Sequence, residues 1–245
     1  MSVLVITGGS RGIGRATVLG AAARGWDVAF SFVSEAGAAQ ETAAAARAKG
    51  VRCEVLQGDA RNEAHLAALF DLGASLGPVD KCVVNAGIVD EAGPLSAFSA
   101  DRIGRVIDVN VTGALLTARE AARRMPTDVG GPGGAVVIVS SAAARLGGAH
   151  FALDYAASKG AMDTLTKGLA LEMAPSVRVN AVRPGIIDTT IHADAGIADR
   201  VETLGPEQPL GRAGSAEETA EAILWLLSGA SSYVTGTHVD VAGGR

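Results

Sequence analysis

Ser2-Val3-Leu4-Val5-Ile6-Thr7-Gly8-Gly9-Ser10-Arg11-Gly12-Ile13-Gly14 opens the chain with a short apolar run, a glycine-rich turn and the first residues of a helix-period segment. Glycine lets a backbone turn tightly and approach another group closely, so Gly8, Gly12 and Gly14 permit an abrupt passage from strand to helix. The helix that follows aims its first amides and the positive end of its dipole at that turn, an arrangement suited to a pyrophosphate. Taken alone, such a loop is weak evidence. Its weight depends on whether the chain goes on alternating strands with helices.

It does. Apolar runs at 2–7, 27–32, 52–57, 81–85, 135–140, 178–182 and 237–241 read as strands, and between them lie helix-period stretches at 12–24, 36–49, 63–76, within 101–125, 154–174 and 216–227. This alternation predicts an α/β fold: one Rossmann-like, doubly wound domain over 1–245, with a seven-stranded parallel sheet flanked by helices. Hydrophobic residues make up 48% of the chain but aromatic ones only 4%, so the core must be built from Val, Ile, Leu and Ala. The Pro- and Gly-rich stretch 126–134 joins a helix to a strand inside the pattern and reads as a loop. From 185 to 214 the rhythm breaks just after a strand's carboxyl end, where open α/β sheets bind ligands. The part around 188–210 is therefore expected to be a substrate lid.

A net charge of -5 without clustered Lys and Arg argues against a nucleic-acid partner; Arg119, Arg123 and Arg124 read as one face of a helix. No apolar run approaches the roughly 20 residues of a membrane helix, and no basic-then-apolar leader precedes the first strand, so a cytoplasmic protein is expected. Cys53 and Cys82 lack metal or redox spacing and read as free buried thiols. The histidines His65, His150, His192 and His238 are scattered, so no metal is expected, while His150 and His192 are left as pocket candidates.

The chemistry lies in Tyr155-Ala156-Ala157-Ser158-Lys159, fourteen residues after Ser141. Residues four apart share a helix face, which places the Lys159 ammonium beside the Tyr155 phenol. A fixed cation favours phenolate and is expected to lower the phenol's pKa from its usual value near 10, making Tyr155 a proton donor and acceptor at physiological pH. Together with a dinucleotide loop, the pair points to hydride and proton exchange between an alcohol and a carbonyl. The choice of dinucleotide rests on the end of the second strand, Ser31-Phe32-Val33-Ser34, where no acid appears until Glu35. Arg11 and Ser34 offer a cation and a hydroxyl for a 2′-phosphate, so NADP(H) is favoured and NAD(H) is left open. Asp59 with Ala60 after the third strand, and Asn85-Ala86-Gly87 after the fourth, either border the cofactor or serve only as turn residues.

These residues jointly resemble the short-chain dehydrogenase/reductase superfamily. The loop from Thr7 through Gly8, Ser10, Arg11, Gly12 and Ile13 to Gly14, then Asn85-Ala86-Gly87, Asn110, Ser141, the Tyr155/Lys159 pair, and Pro184-Gly185 through Ile187 to Thr189 occur in the family's order. The resemblance implies that Ser141 orients a substrate oxygen and Tyr155 protonates it, while Lys159 holds the nicotinamide ribose and tunes Tyr155. It further implies that Asn110 carries a proton-relaying water and that Pro184, Gly185, Ile187 and Thr189 meet the carboxamide end of the cofactor. Homotetramers or homodimers built on the helices of Asn110 and Tyr155 are inherited from the same likeness.

Many members place the serine thirteen residues before the tyrosine, a position held here by Ala142. An extra residue within 144–154 accounts for the offset; Ser141 is preferred and Ser140 remains the alternative. The likeness is nearest a bacterial branch often labelled glucose-1-dehydrogenase-like or 3-oxoacyl-carrier-protein-reductase-like. The expected activity is NADPH-dependent reduction of a small or medium polar carbonyl compound. A catalytically silent redox sensor is the alternative. Hydrolysis through Ser141 is disfavoured, because Val139 and Ala143 stand where a nucleophile elbow needs glycines.

Overall fold

The computed structural model describes residues 2–197 and 199–245, apart from the side chains at 192 and 194. Among the described residues the main sheet comprises β1 (Val3–Ile6), β2 (Asp27–Phe32), β3 (Cys53–Gln57), β4 (Val79–Val84), β5 (Gly134–Val139) and β6 (Val177–Pro184). Two short strands follow, β7 (Ile187–Asp188) and β8 (Gly214–Ser215), which pair only with each other, and β9 (His238–Val241) completes the main sheet. Its order is β3-β2-β1-β4-β5-β6-β9, with every pairing parallel. The chain starts at the centre, winds out to β3, returns to β4 and winds out the other way. The carboxyl ends of β1 and β4 therefore diverge at a topological switch point, where such sheets open a crevice.

The helices are α1 (Gly12–Ala23), α2 (Ala36–Arg47), α3 (Glu63–Leu76), α4 (Ala100–Ile107), α5 (Gly113–Arg124), α6 (Ala143–Leu146), α7 (Leu153–Glu172), α8 (Ile191–Asp194), α9 (Arg200–Leu204) and α10 (Ala216–Leu227). Successive strand residues face opposite sides. Val3 and Val5 accordingly join Leu69 and Phe70 of α3, Ala114 and Ala118 of α5 and Met162 of α7, whereas Leu4 and Ile6 join Val18 of α1, Ala43 of α2 and Leu224 of α10. The scarcity of aromatics is met by close approach. Gly20 of α1 has no room for a Cβ beside Leu224, and Gly73 of α3 has none beside Val5.

One helical expectation needed correction. The stretch within 101–125 is interrupted by a π-helical segment, Asp108–Thr112, between α4 and α5. Such wide turns occur often at functional sites, and here the turn carries Asn110. Cys53 and Cys82 are free and buried, as expected, with burial pushing the thiols up to about 11 and about 12. Each of the three arginines near the end of α5 meets a carboxylate: Arg119 on Glu63, Arg123 on Glu120, and Arg124 on Asp71 and Glu120. No described helix is long and apolar enough to cross a membrane.

Candidate active site

A single cleft of ≈ 870 Å³ runs along the carboxyl edge of the sheet. Its floor at the switch point is the glycine turn, with Gly8 at φ 72° and Gly12 at φ 52°, a region that favours glycine. Asn85 ties the turn to the neighbouring strand: Nδ2 donates to the Thr7 and Gly8 carbonyls at 2.9 Å each, while Thr7 Oγ1 accepts the Asn85 and Ala86 amides at 3.2 and 3.1 Å. Arg11, the residue before α1, is extended and supplies no side-chain cap, and the first residues of α1, Gly12, Ile13 and Gly14, line the cleft. That fits a dinucleotide pyrophosphate. Gly14 has no space for a methyl, because a Cβ there would overlap the Gly8 carbonyl oxygen and the Asn85 side chain. Gly14→Ala should therefore cost about 1–3 kcal/mol and lower Tm by several degrees; calorimetry checks this, and an unchanged Tm would show that the loop yields.

Every sequence-derived cofactor residue lines this cleft: Gly8, Ser10, Arg11, Gly12, Ile13, Gly14, Ser34, Asp59, Ala60, Asn85, Ala86, Gly87, Tyr155, Lys159, Pro184, Gly185, Ile187 and Thr189. Arg11 also donates to Thr190 Oγ1 at 3.1 Å. Asp59 is gripped by Arg61, whose Nη2 lies 2.6 Å from Oδ2, and these hydrogen bonds hold its carboxyl below the usual range.

The Tyr155 end is built by α7 and the loop after β5. Ser141 lies close enough to the half-buried Tyr155 phenol to bear on its pKa, and its Oγ accepts the Ala143 amide at 3.1 Å. Ser140 points the other way, donating to Asp163 Oδ1 at 2.8 Å and to the Lys159 carbonyl at 3.1 Å. The two serines thus divide labour: one faces the phenol and the other anchors α7. Between Leu146 and Leu153 the chain turns sharply, with Gly147, Gly148 and His150 all at positive φ.

The expected lowering of the phenol's pKa by Lys159 is overturned. Burial pushes Tyr155 upward and the nearby Ser141 hydroxyl offsets only part of the shift. Lys159 Nζ instead donates to the Val139 carbonyl at 2.9 Å, lying 5.5 Å from the Tyr155 ring centroid. Its own burial brings it down to about 8, against an opposing pull from Asp163.

Asn110 does not line the cleft but lies 1% exposed behind its wall. Its Oδ1 accepts the Ile88 amide at 2.7 Å, and Nδ2 donates to the Ile88 carbonyl at 2.8 Å and Ser158 Oγ at 3.0 Å. The side chain therefore clamps the segment after Gly87. Sequence reasoning missed the supports around these groups: Asp163, which also holds Arg183 at 2.7 Å, and the buried pair Arg102–Asp154 at 3.0 Å beside Tyr155. Asp154 adjoins the tyrosine in the chain, a signal that was there to read.

Ile88, Val89 and much of 142–151 also line the cleft, Asp90 is drawn to Arg105, and His150, one of the two histidines expected as pocket candidates, is exposed and outside the cleft. The His192 side chain lies outside the described residues.

The chain matches, over residues 8–245, the family model described as enoyl-(acyl carrier protein) reductase. It is 47% identical over 247 residues to the uncharacterized oxidoreductase YgfF of Escherichia coli, covering 100% of both chains. It is 38% identical to cis-4-hydroxycyclohexanecarboxylate dehydrogenase of Sinomonas cyclohexanicum, covering 99% of this chain and 95% of that one. A crystal structure of a short-chain type dehydrogenase/reductase from Mycobacterium marinum superposes with a TM-score of 0.91 at 34% identity, over 99% of this chain and 94% of that one. The chain is also 36% identical to L-rhamnose 1-dehydrogenase (NAD(P)(+)) of Sphingomonas sp., covering 98% of this chain and 94% of that one. With a parallel seven-stranded sheet, a glycine turn at its switch point and a serine–tyrosine–lysine wall, the chain belongs to the short-chain dehydrogenase/reductase superfamily, oxidoreductases that interconvert alcohols and carbonyls.

Proposed function

We propose that the chain is an NADPH-preferring carbonyl reductase acting on a small or medium polar ketone or aldehyde, and on the corresponding alcohol in reverse. The observation that carries this is the Ser141 hydroxyl placed near the Tyr155 phenol in the same cleft as the glycine turn. A bound nicotinamide dinucleotide supplies or accepts the hydride. Ser141 and Tyr155 hold the substrate oxygen between two hydroxyl donors, which meet negative charge as it develops there. Tyr155 gives that oxygen its proton in reduction and takes it back in oxidation. Lys159 fixes the floor beneath Tyr155 and reaches the nicotinamide ribose, and Asn110 holds the wall behind it and serves a water relay. Pro184, Gly185, Ile187 and Thr189 receive the carboxamide end, and 188–210, which adds Thr189, Thr190, Ile191, Arg200 and Leu204 to the cleft, acts as its lid.

Preference for NADPH is supported by the adenosine end, where Arg11 and Ser34 both line the cleft and Phe32 and Val33 stand where an acid would repel phosphate. Titration with NADPH and with NADH, followed by nicotinamide fluorescence, should show tighter NADPH binding. Arg11→Gln should weaken NADPH by about tenfold or more and leave NADH alone. Equal or tighter NADH binding in the wild type would overturn the preference.

The 245 residues work as one unit in this reading, in the reducing cytoplasm where free buried thiols are at home. Leu115 on α5 and Leu153 and Leu171 on α7 are exposed at 48%, 38% and 83%, which supports a homodimer or homotetramer built on those helices.

A further inference from the structure

Five arginines at or near the cleft are paired with carboxylates. Arg61 meets Asp59, Arg102 meets Asp154, Arg105 meets Asp90, Arg145 meets Asp240 and Arg183 meets Asp163. Arg200 and Arg245 also line the cleft, yet among the described residues neither has a carboxylate within ion-pairing distance. Arg200 opens α9 and sits over Phe151, its guanidinium carbon 3.9 Å from the ring centroid. Phe151 is four residues before Tyr155, which fixes this stacked cation at the catalytic end of the cleft.

The Arg245 charge also bears on Arg200. Partial burial first, and the Arg245 charge second, hold Arg200 below the usual guanidinium range. A half-buried charge facing a like charge is unfavourable unless something compensates for it. Among the described residues the Phe151 ring offsets part of that cost, and no carboxylate adds to that offset. A guanidinium presents a planar fork of N–H donors that matches the two oxygens of a carboxylate, and among the described residues no hydrogen bond engages the one on Arg200. Leu146, Phe151, Ile191 and Leu204 line the same cleft and supply apolar surface suited to a hydrocarbon body.

We propose that Arg200, assisted by Arg245, binds a carboxylate on the substrate, so that the physiological pair is an oxo acid and a hydroxy acid with an apolar body. This rests on the reading of the Ser141–Tyr155 end as the carbonyl site, and it adds the group that orients the rest of the molecule.

Calorimetric titration with cyclohexanecarboxylate and with its neutral isostere cyclohexanecarboxamide, with and without NADP+, tests the inference apart from turnover. The carboxylate should bind wild type at least about tenfold tighter than the amide, as a charge-assisted pair requires. Arg200→Met should remove that advantage and leave amide binding unchanged, and Arg200→Lys, which keeps the charge but not the fork, should restore part of it. Arg200→Gln replaces the Met variant if the latter fails to fold. Equal binding of acid and amide, no carboxylate binding at roughly 10 mM, or carboxylate affinity indifferent to Arg200 would overturn the proposal. Turnover of neutral ketones alongside any of these results would leave the reductase reading standing. Arg200-dependent carboxylate binding without turnover of any carbonyl would support the anion site and remove the reductase reading instead.

Discussion

Tyr155→Phe should lose carbonyl reduction by a factor on the order of 10³, in the range by which a positioned acid accelerates proton transfer, while NADPH affinity stays within about twofold of wild type. The substitution deletes one oxygen and leaves the ring in place against the Lys159 ammonium. Steady-state rates and a fluorescence titration on the same preparation separate the two effects, and near-normal turnover by the folded variant would remove Tyr155 from the mechanism.

The direction of the Tyr155 shift carries a further expectation. Burial holds the phenol above its ordinary range, so it keeps its proton at neutral pH. Reduction needs that proton and should run unimpeded through pH 7, whereas oxidation needs phenolate and should keep rising with pH well into the alkaline range. A reductive rate that collapses below neutral pH would contradict this.

Lys159→Met should abolish turnover and at the same time change how stability depends on pH. The ammonium is buried, and its pKa falls from the usual 10.5 to about 8 in the fold. Below pH 8 the lysine is protonated in folded and unfolded chains alike, and the fold bears the whole cost of the buried charge. Between pH 8 and 10.5 the folded chain has released the proton while the unfolded chain still binds it, so the lysine's penalty fades as pH rises. The change across that window is on the order of 3 kcal/mol. Methionine has no such penalty but leaves the Val139 carbonyl without its donor, a loss of about 1–3 kcal/mol. The variant should therefore match or modestly exceed wild type at pH 7 and fall behind it at pH 10.5. Melting curves at both pH values check this, and a difference independent of pH would mean that Lys159 is no buried cation in the fold.

The extent to which the site was legible in the linear chain depended on the range of the forces involved. Tyr155 and Lys159 are one helical turn apart, so their shared face follows from backbone geometry, and the glycine turn between strand and helix is equally local. The division between Ser140 and Ser141 was not legible, because it depends on Asp163, more than twenty residues on, being available to one hydroxyl and not the other. The sign of the Tyr155 shift was missed for a similar reason. Spacing placed a cation nearby, but burial of the phenol and capture of the ammonium by the Val139 carbonyl are properties of the packed sheet edge.

Periodicity and turn chemistry by themselves determined that this chain alternates seven strands with helices, that its glycine turn faces a helix N-terminus, and that its tyrosine and lysine lie side by side. Those are near-neighbour constraints, set by allowed backbone angles and side-chain period. Tertiary structure alone decided the sheet order with β1 beside β4, the π-helical turn that swings Asn110 behind the wall, and the seating of Arg200 on Phe151. Each of these joins groups far apart in the chain, and burial and charge act through space without regard to sequence separation.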